Sequence, residues 1–245
     1  MSFDLRNFLA AGLFGVMLLG SGPAARAQHV ARHRHHDHNG RPYYLGPMRV
    51  SAGVGTAFYD GDLGNSLSND FLGPALNLGV LYGLGPHWRV GGELGYMAMG
   101  ARDQLPSRGL AFYSHNALGT AFLRYDLLGD PSIYATLPGP ARRVQPFVQA
   151  GVGLMLYNPQ AYVGTEAPTS TTSYLPPERN NYPALAGVLP VGGGLVVPLT
   201  DRINITLEGN YYFTTTDNLD DVSQRGNPDR NDGFSTLMLK LDYAL

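Results

Sequence analysis

Residues 203–214 read INITLEGNYYFT, and every second residue of this segment is apolar or small. One face carries Ile203, Ile205, Leu207, Gly209, Tyr211 and Phe213. The positions between them are mostly polar and include Glu208 and Asn210. A repeat of two is typical of a β-strand that buries one face. The segment therefore predicts a strand whose two faces differ in chemistry.

Seven further segments repeat this alternation, with turn-forming residues between them. They are residues 48–59, 74–84, 88–99, 110–125, 144–157, 185–199 and 234–245. The alternation is weakest in residues 110–125, and Pro190 predicts a bulge or an irregularity in the sixth strand. Eight strands of about 10–15 residues suit a closed barrel. A soluble sandwich of two sheets is the alternative.

Three observations favour a barrel that crosses a membrane over a sandwich. The apolar face persists nearly end to end on most strands, and the opposite face holds glycine and charged residues. Aromatic residues stand near the strand ends, as they do in interfacial girdles. They are Phe58, Trp88, Tyr96, Tyr125, Tyr211 and Tyr243. With the export signal described next, the pattern predicts an all-β fold, an eight-stranded antiparallel up-and-down transmembrane β-barrel, over residues 46–245.

An export signal precedes the barrel. Residues 1–27 combine Arg6 near the start, an apolar core at residues 8–20 and the small-residue pattern ARA at residues 25–27. The apolar core has 13 residues, fewer than the roughly 20 that a membrane-spanning helix needs. These features predict a signal peptide that is cleaved after residue 27, with export to the cell outer membrane.

A histidine-rich leader follows at residues 28–45. It contains His33, His35, His36 and His38, and neutral imidazoles of this kind bind transition metals. A polar tract without an ordered scaffold does not fix ligand geometry, and it buries too little apolar surface to order itself. We therefore expect a disordered tether in which these histidines are only weak metal candidates, and no cofactor.

The composition excludes several classes of function. The 245 residues contain no Cys, which excludes disulfides, thiolate metal sites and Cys nucleophiles. Charged residues make up 15% of the chain, well below the roughly 25% of soluble domains. The net charge of −2 gives no reason to expect a nucleic-acid partner.

The polar face of the strands predicts an internal charge network. Its charged members are Arg49, Arg89, Glu93, Glu208, Lys240 and Asp242. Eight strands enclose a lumen that side chains nearly fill, and charges buried there must be paired. We expect the basic residues to neutralise the two glutamates and to close the lumen to solutes. The alternative, a carboxylate pair acting as acid and base, needs a substrate pocket that the sequence does not indicate.

Other candidate catalytic or metal-binding residues are better interpreted as structural. Ser114 and His115 are adjacent on a strand, so their side chains point to opposite faces and cannot pair as nucleophile and base. His87 lies in a turn, where we expect it to have no partner. Acidic loops can hold calcium, but these loops lack calcium-loop spacing, so we expect solvated surface. Their residues are Asp60, Asp62, Asp70, Asp217, Asp220, Asp221, Asp229 and Asp232.

The connections between the strands fit the barrel topology. The joins at residues 85–87 and 200–202 are short, while those after the first, fifth and seventh strands are long and polar. Outer-membrane barrels combine short periplasmic turns with long outer loops. Residues 126–143 are the exception, because this join lies on the periplasmic side but is long and rich in proline.

Several motifs carry a resemblance to a known family. They are FYDGDL at residues 58–63, QPFVQAGVGL at 145–154, LPVGGG at 189–194, LEGNY at 207–211 and TTTDNLDDVS at 214–223. In this order and spacing the chain resembles the outer-membrane β-barrel family of Bacteroidota that includes the small barrel of the type IX secretion and gliding machinery. More broadly it resembles an OmpA-like barrel. The most specific motif contains Asp217, Leu219, Asp220, Asp221, Val222 and Ser223.

The resemblance implies a monomeric, non-enzymatic barrel that contacts outer-membrane lipid. In the secretion branch such a barrel contacts periplasmic ring proteins, and residues 126–143 are the candidate contact by position. A general OmpA-like barrel that stabilises the envelope or binds a surface ligand is the alternative. A lipid-modifying barrel enzyme is a third interpretation. In each case we expect the loop of residues 217–223 to face outward.

Overall fold

The computed structural model shows how the alternating segments assemble. It describes residues 34–37, 39–40, 42–43, 45–61, 69–103, 109–128, 144–221 and 231–245. The predicted signal peptide at residues 1–27 therefore lies outside the described residues. Within the described ranges there is no helix long and apolar enough to cross a membrane.

Eight strands form one closed antiparallel barrel. They are β1 (Arg49–Asp60), β2 (Gly73–Gly83), β3 (Trp88–Arg102), β4 (Leu110–Asp126), β5 (Gln145–Val163), β6 (Ala184–Pro198), β7 (Ile203–Thr214) and β8 (Gly233–Ala244). Each strand pairs with its neighbours in the chain, and β8 pairs with β1 to close the ring. The predicted eight-stranded up-and-down topology is confirmed.

The two ends of the barrel differ in their connections. The joins after β1, β3, β5 and β7 lie at one end, which we call the loop end. The joins after β2, β4 and β6 lie at the other, which we call the turn end, together with the first and last residues of the barrel.

Alternation along each strand decides which side chains face inward. On β8, Leu237, Leu239 and Leu241 are exposed on the outside, while Met238 and Lys240 are buried inside. Successive side chains of a strand point to opposite faces, so one register choice sets the chemistry of both surfaces. Charged residues lie inside the barrel and leucine and valine lie outside, which is the reverse of a soluble sandwich.

Three neighbouring strands are longer than the sequence predicts. β3, β4 and β5 have 15, 17 and 19 residues, against 12 in β1. The alternation in the sequence predicts that the fifth strand ends near residue 157, six residues before its end in the structure. The β6 ladder stops at Tyr157, so Pro159 lies where β5 has no β6 partner that would need its amide hydrogen.

The extended parts of β3, β4 and β5 form a flap at the loop end, and both of its edges are covered. A two-residue strand, Asp70–Phe71, pairs with Gly100 and Ala101 on the β3 edge. On the β5 edge, Tyr174 bridges to Tyr162, and the amide of Leu175 donates to Ala161 O at 2.8 Å. Unpaired edges invite pairing with other chains, so these caps protect the flap.

Pro190 produces the predicted irregularity in β6. The ladder between β5 and β6 is interrupted opposite Pro190, at Gly151 and Val152, and resumes in the same register. Because Pro190 has no amide hydrogen to donate, the pairing is interrupted opposite it, while the register of the two strands stays the same on both sides.

Part of the leader has local structure. The two-residue strands His35–His36 and Pro42–Tyr43 pair as a hairpin, and the His35 ring stacks on Tyr43 with centroids 5.5 Å apart. The sequence analysis expected a disordered tether there, because it considered only the polarity of the tract and not the aromatic residues that follow it.

We predict that Gly194→Ala destabilises the barrel by about 1–3 kcal/mol, the typical effect of overpacking. A Cβ at this position would overlap the backbone oxygen of Leu207 and the ring of Phe147. Denaturant unfolding followed by the fluorescence of Trp88, the only tryptophan, measures the change. Gly209→Ala is the matched control, because its Cβ would meet no atom closer than 3.9 Å. Equal unfolding midpoints for the two variants would contradict the prediction.

Candidate functional site: the barrel interior and its loop end

A lysine between two glutamates occupies the middle of the barrel interior. Lys240 Nζ on β8 donates to Glu93 Oε1 on β3 and to Glu208 Oε1 on β7, both at 2.6 Å. Lys240 and Glu208 are buried, and the Glu93 side chain is 13% exposed. The sequence analysis placed all three on the inward face, and the structure brings them together as one ion-pair cluster.

Side-chain amides complete this cluster. Asn77 Nδ2 donates to Glu93 Oε2 at 2.9 Å, and Asn210 Nδ2 donates to Glu208 Oε1 at 2.7 Å. Gln149 Nε2 in turn donates to Asn210 Oδ1 at 3.0 Å. Buried charges are stabilised only when their remaining hydrogen-bonding positions are also used. The amides do this, and they extend the network to β2 and β5.

A second ion-pair cluster lies toward the turn end. Arg89 Nε and Arg124 Nε donate to the two carboxylate oxygens of Asp126, at 2.5 and 3.1 Å. The Arg124 guanidinium also lies 3.4 Å from the centroid of the Phe147 ring. The sequence analysis wrongly assigned Asp126 to a periplasmic join, whereas it is the buried last residue of β4. Its even spacing from Arg124 was the signal that could have identified it.

The remaining predicted network members also face inward. Thr206 Oγ1 donates to Asp242 Oδ2 at 2.5 Å. Arg49 Nη1 lies 3.1 Å from the side-chain oxygen of Asn204 in the amide orientation that satisfies both groups. Between the middle and the turn end of the barrel, the network of the described residues therefore contains four basic and four acidic side chains. They are Arg49, Arg89, Arg124, Lys240, Glu93, Asp126, Glu208 and Asp242.

The network leaves little free space inside the barrel. A cavity of about 20 Å³ lies beside Glu93, lined in part by Asn77 and Thr236. That volume holds about one water molecule, not a substrate.

The loop after β7 folds into the loop end of the barrel. Leu219 is fully buried in an apolar cluster with Tyr59, Phe112, Tyr157 and Phe234. Residues 219–221 are buried at this end of the barrel and so form no exposed surface, while the side of the membrane that the loop faces stays a prediction. Burial of the Leu219 side chain removes enough apolar surface from water to hold the loop against the barrel. The alternation along the strands gives no information about the position of a loop residue.

The expected solvated surface of the acidic loops is also wrong for three carboxylates. Asp220 and Asp221 are each 1% exposed and Asp232 is 2% exposed. Tyr59 lies between Asp220 and Asp232, and the backbone amide of Glu178 donates to Asp221 Oδ1 at 2.9 Å. The other loop aspartates differ from these three. Asp60, Asp70 and Asp217 are partly buried, whereas Asp62, Asp229, Val222 and Ser223 lie outside the described residues.

The candidate nucleophile and base lie on opposite sides of β4. Ser114 is fully buried and its hydroxyl donates to Asn116 Oδ1 at 2.9 Å, while His115 is exposed and its Nδ1 lies 2.7 Å from Tyr96 Oη. His87 has partners, contrary to expectation. Its Nδ1 lies 2.7 Å from the backbone oxygen of Asp126, and its ring stacks on a neighbouring tyrosine.

The histidine tract is only partly described. His35 and His36 belong to the leader hairpin, and His33 and His38 lie outside the described residues. In the part of the chain that the structure covers, no three His, Asp or Glu side chains are grouped to hold a metal ion. The interpretation of these histidines as only weak metal candidates stays a prediction.

Comparisons with known proteins found similar structures but no sequence relatives. No family model and no curated protein matches the chain. Neisserial surface protein A is 14% identical with a TM-score of 0.45, over 82% of this chain and 99% of that one. Ail of Yersinia pestis gives 14%, 0.44 and the same coverage, and the outer membrane enzyme PagL gives 16% and 0.36 over 80% and 99%. At these values the likeness says nothing about ligand or activity.

We predict that Lys240→Met destabilises the barrel by about 3–5 kcal/mol, because it leaves two buried glutamates without their cation. Adding Glu93→Gln and Glu208→Gln removes those charges and recovers most of the loss. Chemical unfolding in detergent measures all of these variants.

Arg202→Met is the control for Lys240→Met. The Arg202 guanidinium is exposed and reaches only Tyr243 Oη at 3.5 Å, so we expect a change within about 0.5 kcal/mol. If Lys240→Met lowered the free energy of unfolding no more than Arg202→Met does, the charge network would not be what stabilises the barrel.

Proposed function

We propose that this protein is a closed β-barrel of the bacterial outer membrane that acts without catalysis, as a membrane-embedded structural or interaction protein. The observation that carries the proposal is the outward apolar surface. A barrel whose charges are inside and whose leucines are outside needs hydrocarbon around it.

The apolar surface forms a belt around the whole barrel. Every strand contributes exposed leucine or valine side chains, and Leu94 and Leu239 are 65% and 52% exposed. Soluble monomers rarely expose a continuous apolar surface of more than a few hundred Å². The shorter strands have 11 or 12 residues, close to the roughly 9–11 that a tilted strand needs to cross a membrane.

Aromatic residues border the belt at both ends. Trp88 and Tyr243 stand outward near the turn end, and Tyr96, Tyr211 and Phe213 stand outward toward the loop end. Tyrosine and tryptophan favour the boundary between hydrocarbon and headgroups, so these two rows suit the two membrane surfaces.

The filled interior supports a role without transport or catalysis. The paired charges of Lys240, Glu93 and Glu208 occupy the middle of the lumen, and the cavity beside Glu93 measures only about 20 Å³. The loops are then the parts of the molecule that remain for contact with partners. An OmpA-like role, in stabilising the envelope or binding a surface ligand, follows from this arrangement.

An accessory role in type IX secretion is the finer hypothesis, and its support is the sequence resemblance at residues 214–223. It predicts that deletion of the gene depletes secreted cargo from the medium while the envelope stays intact, as measured by mass spectrometry of the culture supernatant. A complementing copy of the gene should restore the cargo. An unchanged set of secreted proteins would leave the general envelope role.

We predict that Leu239→Arg destabilises the vesicle-inserted barrel by about 2–4 kcal/mol, because Leu239 lies midway along β8 and would face the bilayer midplane. Refolding into lipid vesicles, followed by denaturant titration, measures the effect. Val163→Arg is the control, since Val163 is also exposed, at 68% against 52% for Leu239, but stands at the tip of the flap, beyond the belt. If both variants behaved alike, the belt would not be in contact with lipid.

A further inference from the structure

A tyrosine hydroxyl lies between two buried carboxylates at the loop end of the barrel. Tyr59 Oη is 2.7 Å from Asp220 Oδ2 and 2.7 Å from Asp232 Oδ1. All three side chains are nearly inaccessible to solvent. Asp220 lies in the first part of the connection between β7 and β8, and Asp232 is its last residue. Tyr59 on β1 therefore contacts two separate parts of one long connection.

The hydrogen count at this tyrosine requires an additional proton. A phenol carries one hydrogen and donates it to one acceptor, while an ionised carboxylate has no hydrogen to give. For both short contacts to be hydrogen bonds, Tyr59 donates to one aspartate and accepts from the other. The backbone amide of Leu219 donates to Asp232 Oδ2 at 2.9 Å, so the second oxygen, Oδ1, is the one turned toward the tyrosine.

We propose that Asp220 and Asp232 together retain one proton at neutral pH, and that this shared proton keeps the loop of residues 215–221 seated in the barrel. A protonated carboxyl group, the Tyr59 hydroxyl and an ionised carboxylate then form one continuous chain of hydrogen bonds. The seated loop buries Leu219 and covers the aromatic side chains beneath it.

The electrostatics of the site agree with a retained proton. Burial, and then the neighbouring charge of Asp220, raise the pKa of Asp232 to about 8. Ionising both of two neighbouring carboxyl groups costs free energy because their negative charges repel. Their two protons therefore dissociate in two steps, and the pKa of each step is a property of the pair.

Among the described residues, the loop itself adds negative charge near the pair. Asp217 lies in the same loop and contributes a further negative charge. Next to Tyr59 on β1, Asp60 accepts a hydrogen bond from Tyr211 on β7 at 2.9 Å. From the segment before β6, Glu178 meets Asp221 through its backbone amide.

The cation that the structure describes in this segment reaches the loop only indirectly. Arg179 Nη1 donates to Tyr157 Oη at 3.2 Å, and that hydroxyl lies 3.0 Å from Thr216 Oγ1. Arg179 is therefore linked to the loop through two neutral hydroxyl groups and forms no ion pair with the aspartate pair in the hydrogen bonds described here.

Loss of the proton weakens the seat of the loop from both sides. Without the proton, one of the two hydrogen bonds of Tyr59 is lost and two negative charges stand side by side in a buried site. The backbone of Asp232 still joins the loop through its amide, which donates to Thr216 O at 3.0 Å, and joins the end of β7 through its carbonyl oxygen, which accepts from Thr214 Oγ1 at 2.6 Å. When the loop leaves, the aspartates regain water and their ordinary acidity, so opening releases one proton. Opening therefore becomes more favourable as pH rises between the ordinary pKa of aspartate and the raised one.

Hydrogen exchange of the Leu219 amide tests the proposal, since this amide donates to Asp232. In the full-length protein in detergent micelles, its protection factor should fall about tenfold per pH unit between about pH 5 and 7.5, and level off above about pH 8.5, as release of one proton requires. A protection factor that is independent of pH over this range would overturn the proposal.

Asp232→Asn is the decisive variant. An amide can accept from Leu219 and donate to Tyr59 as the protonated acid does, but it cannot titrate, so the loop should stay protected and the pH dependence should vanish. Asp60→Asn is the matched control at the same end of the barrel and should keep the wild-type slope. Asp220→Asn removes the other member of the pair and should also abolish the slope, which covers the case in which Asp232→Asn does not fold. A wild-type slope in either pair variant would overturn the proposal.

Discussion

One ammonium group at the centre of the barrel joins strands that are far apart in the chain. Lys240 contacts Glu93, 147 residues earlier, and Glu208, 32 residues earlier. A lysine without these carboxylates would be an unpaired charge in a closed space, and so would each glutamate without the lysine. The cluster can therefore exist only when β3, β7 and β8 are in register, so it links the closure of the barrel to the correct pairing of its strands.

The same constraint accounts for the distribution of residues on the outside. Once the interior is occupied by paired charges and amides, the apolar half of every strand faces outward and needs a hydrocarbon solvent. Side chains occupy the middle of the lumen, and the cavity beside Glu93 has space for about one water. In the proposed pH dependence, the buried aspartates make part of the loop end sensitive to protonation.

Much of the barrel could be predicted from the sequence because one rule, alternation, controls both faces of every strand. The eight segments and the inward position of Lys240 follow from it, and the interruption at Pro190 follows from the missing amide hydrogen of proline. The features that it missed depend on partners that are distant in sequence. The partner of Asp126 on another strand, Arg89, is not visible in the local pattern, and Pro159 is tolerated because β6 has already ended. The seated loop depends on Leu219 finding aromatic side chains from several strands, which no local pattern records.

The flap formed by β3, β4 and β5 makes the molecule lopsided about its own axis. Three adjacent strands stand several residues above the others, and both of their edges are already occupied by short segments of the chain. Another protein diffusing in the same bilayer would meet the flap on one side of the barrel and the shorter strands on the other. The contacts that the barrel makes with such a protein therefore depend on its rotation about its own axis. In a crowded membrane, some orientations would be favoured over others. Because the flap offers no free edge, its contacts would be made by side chains and not by strand addition.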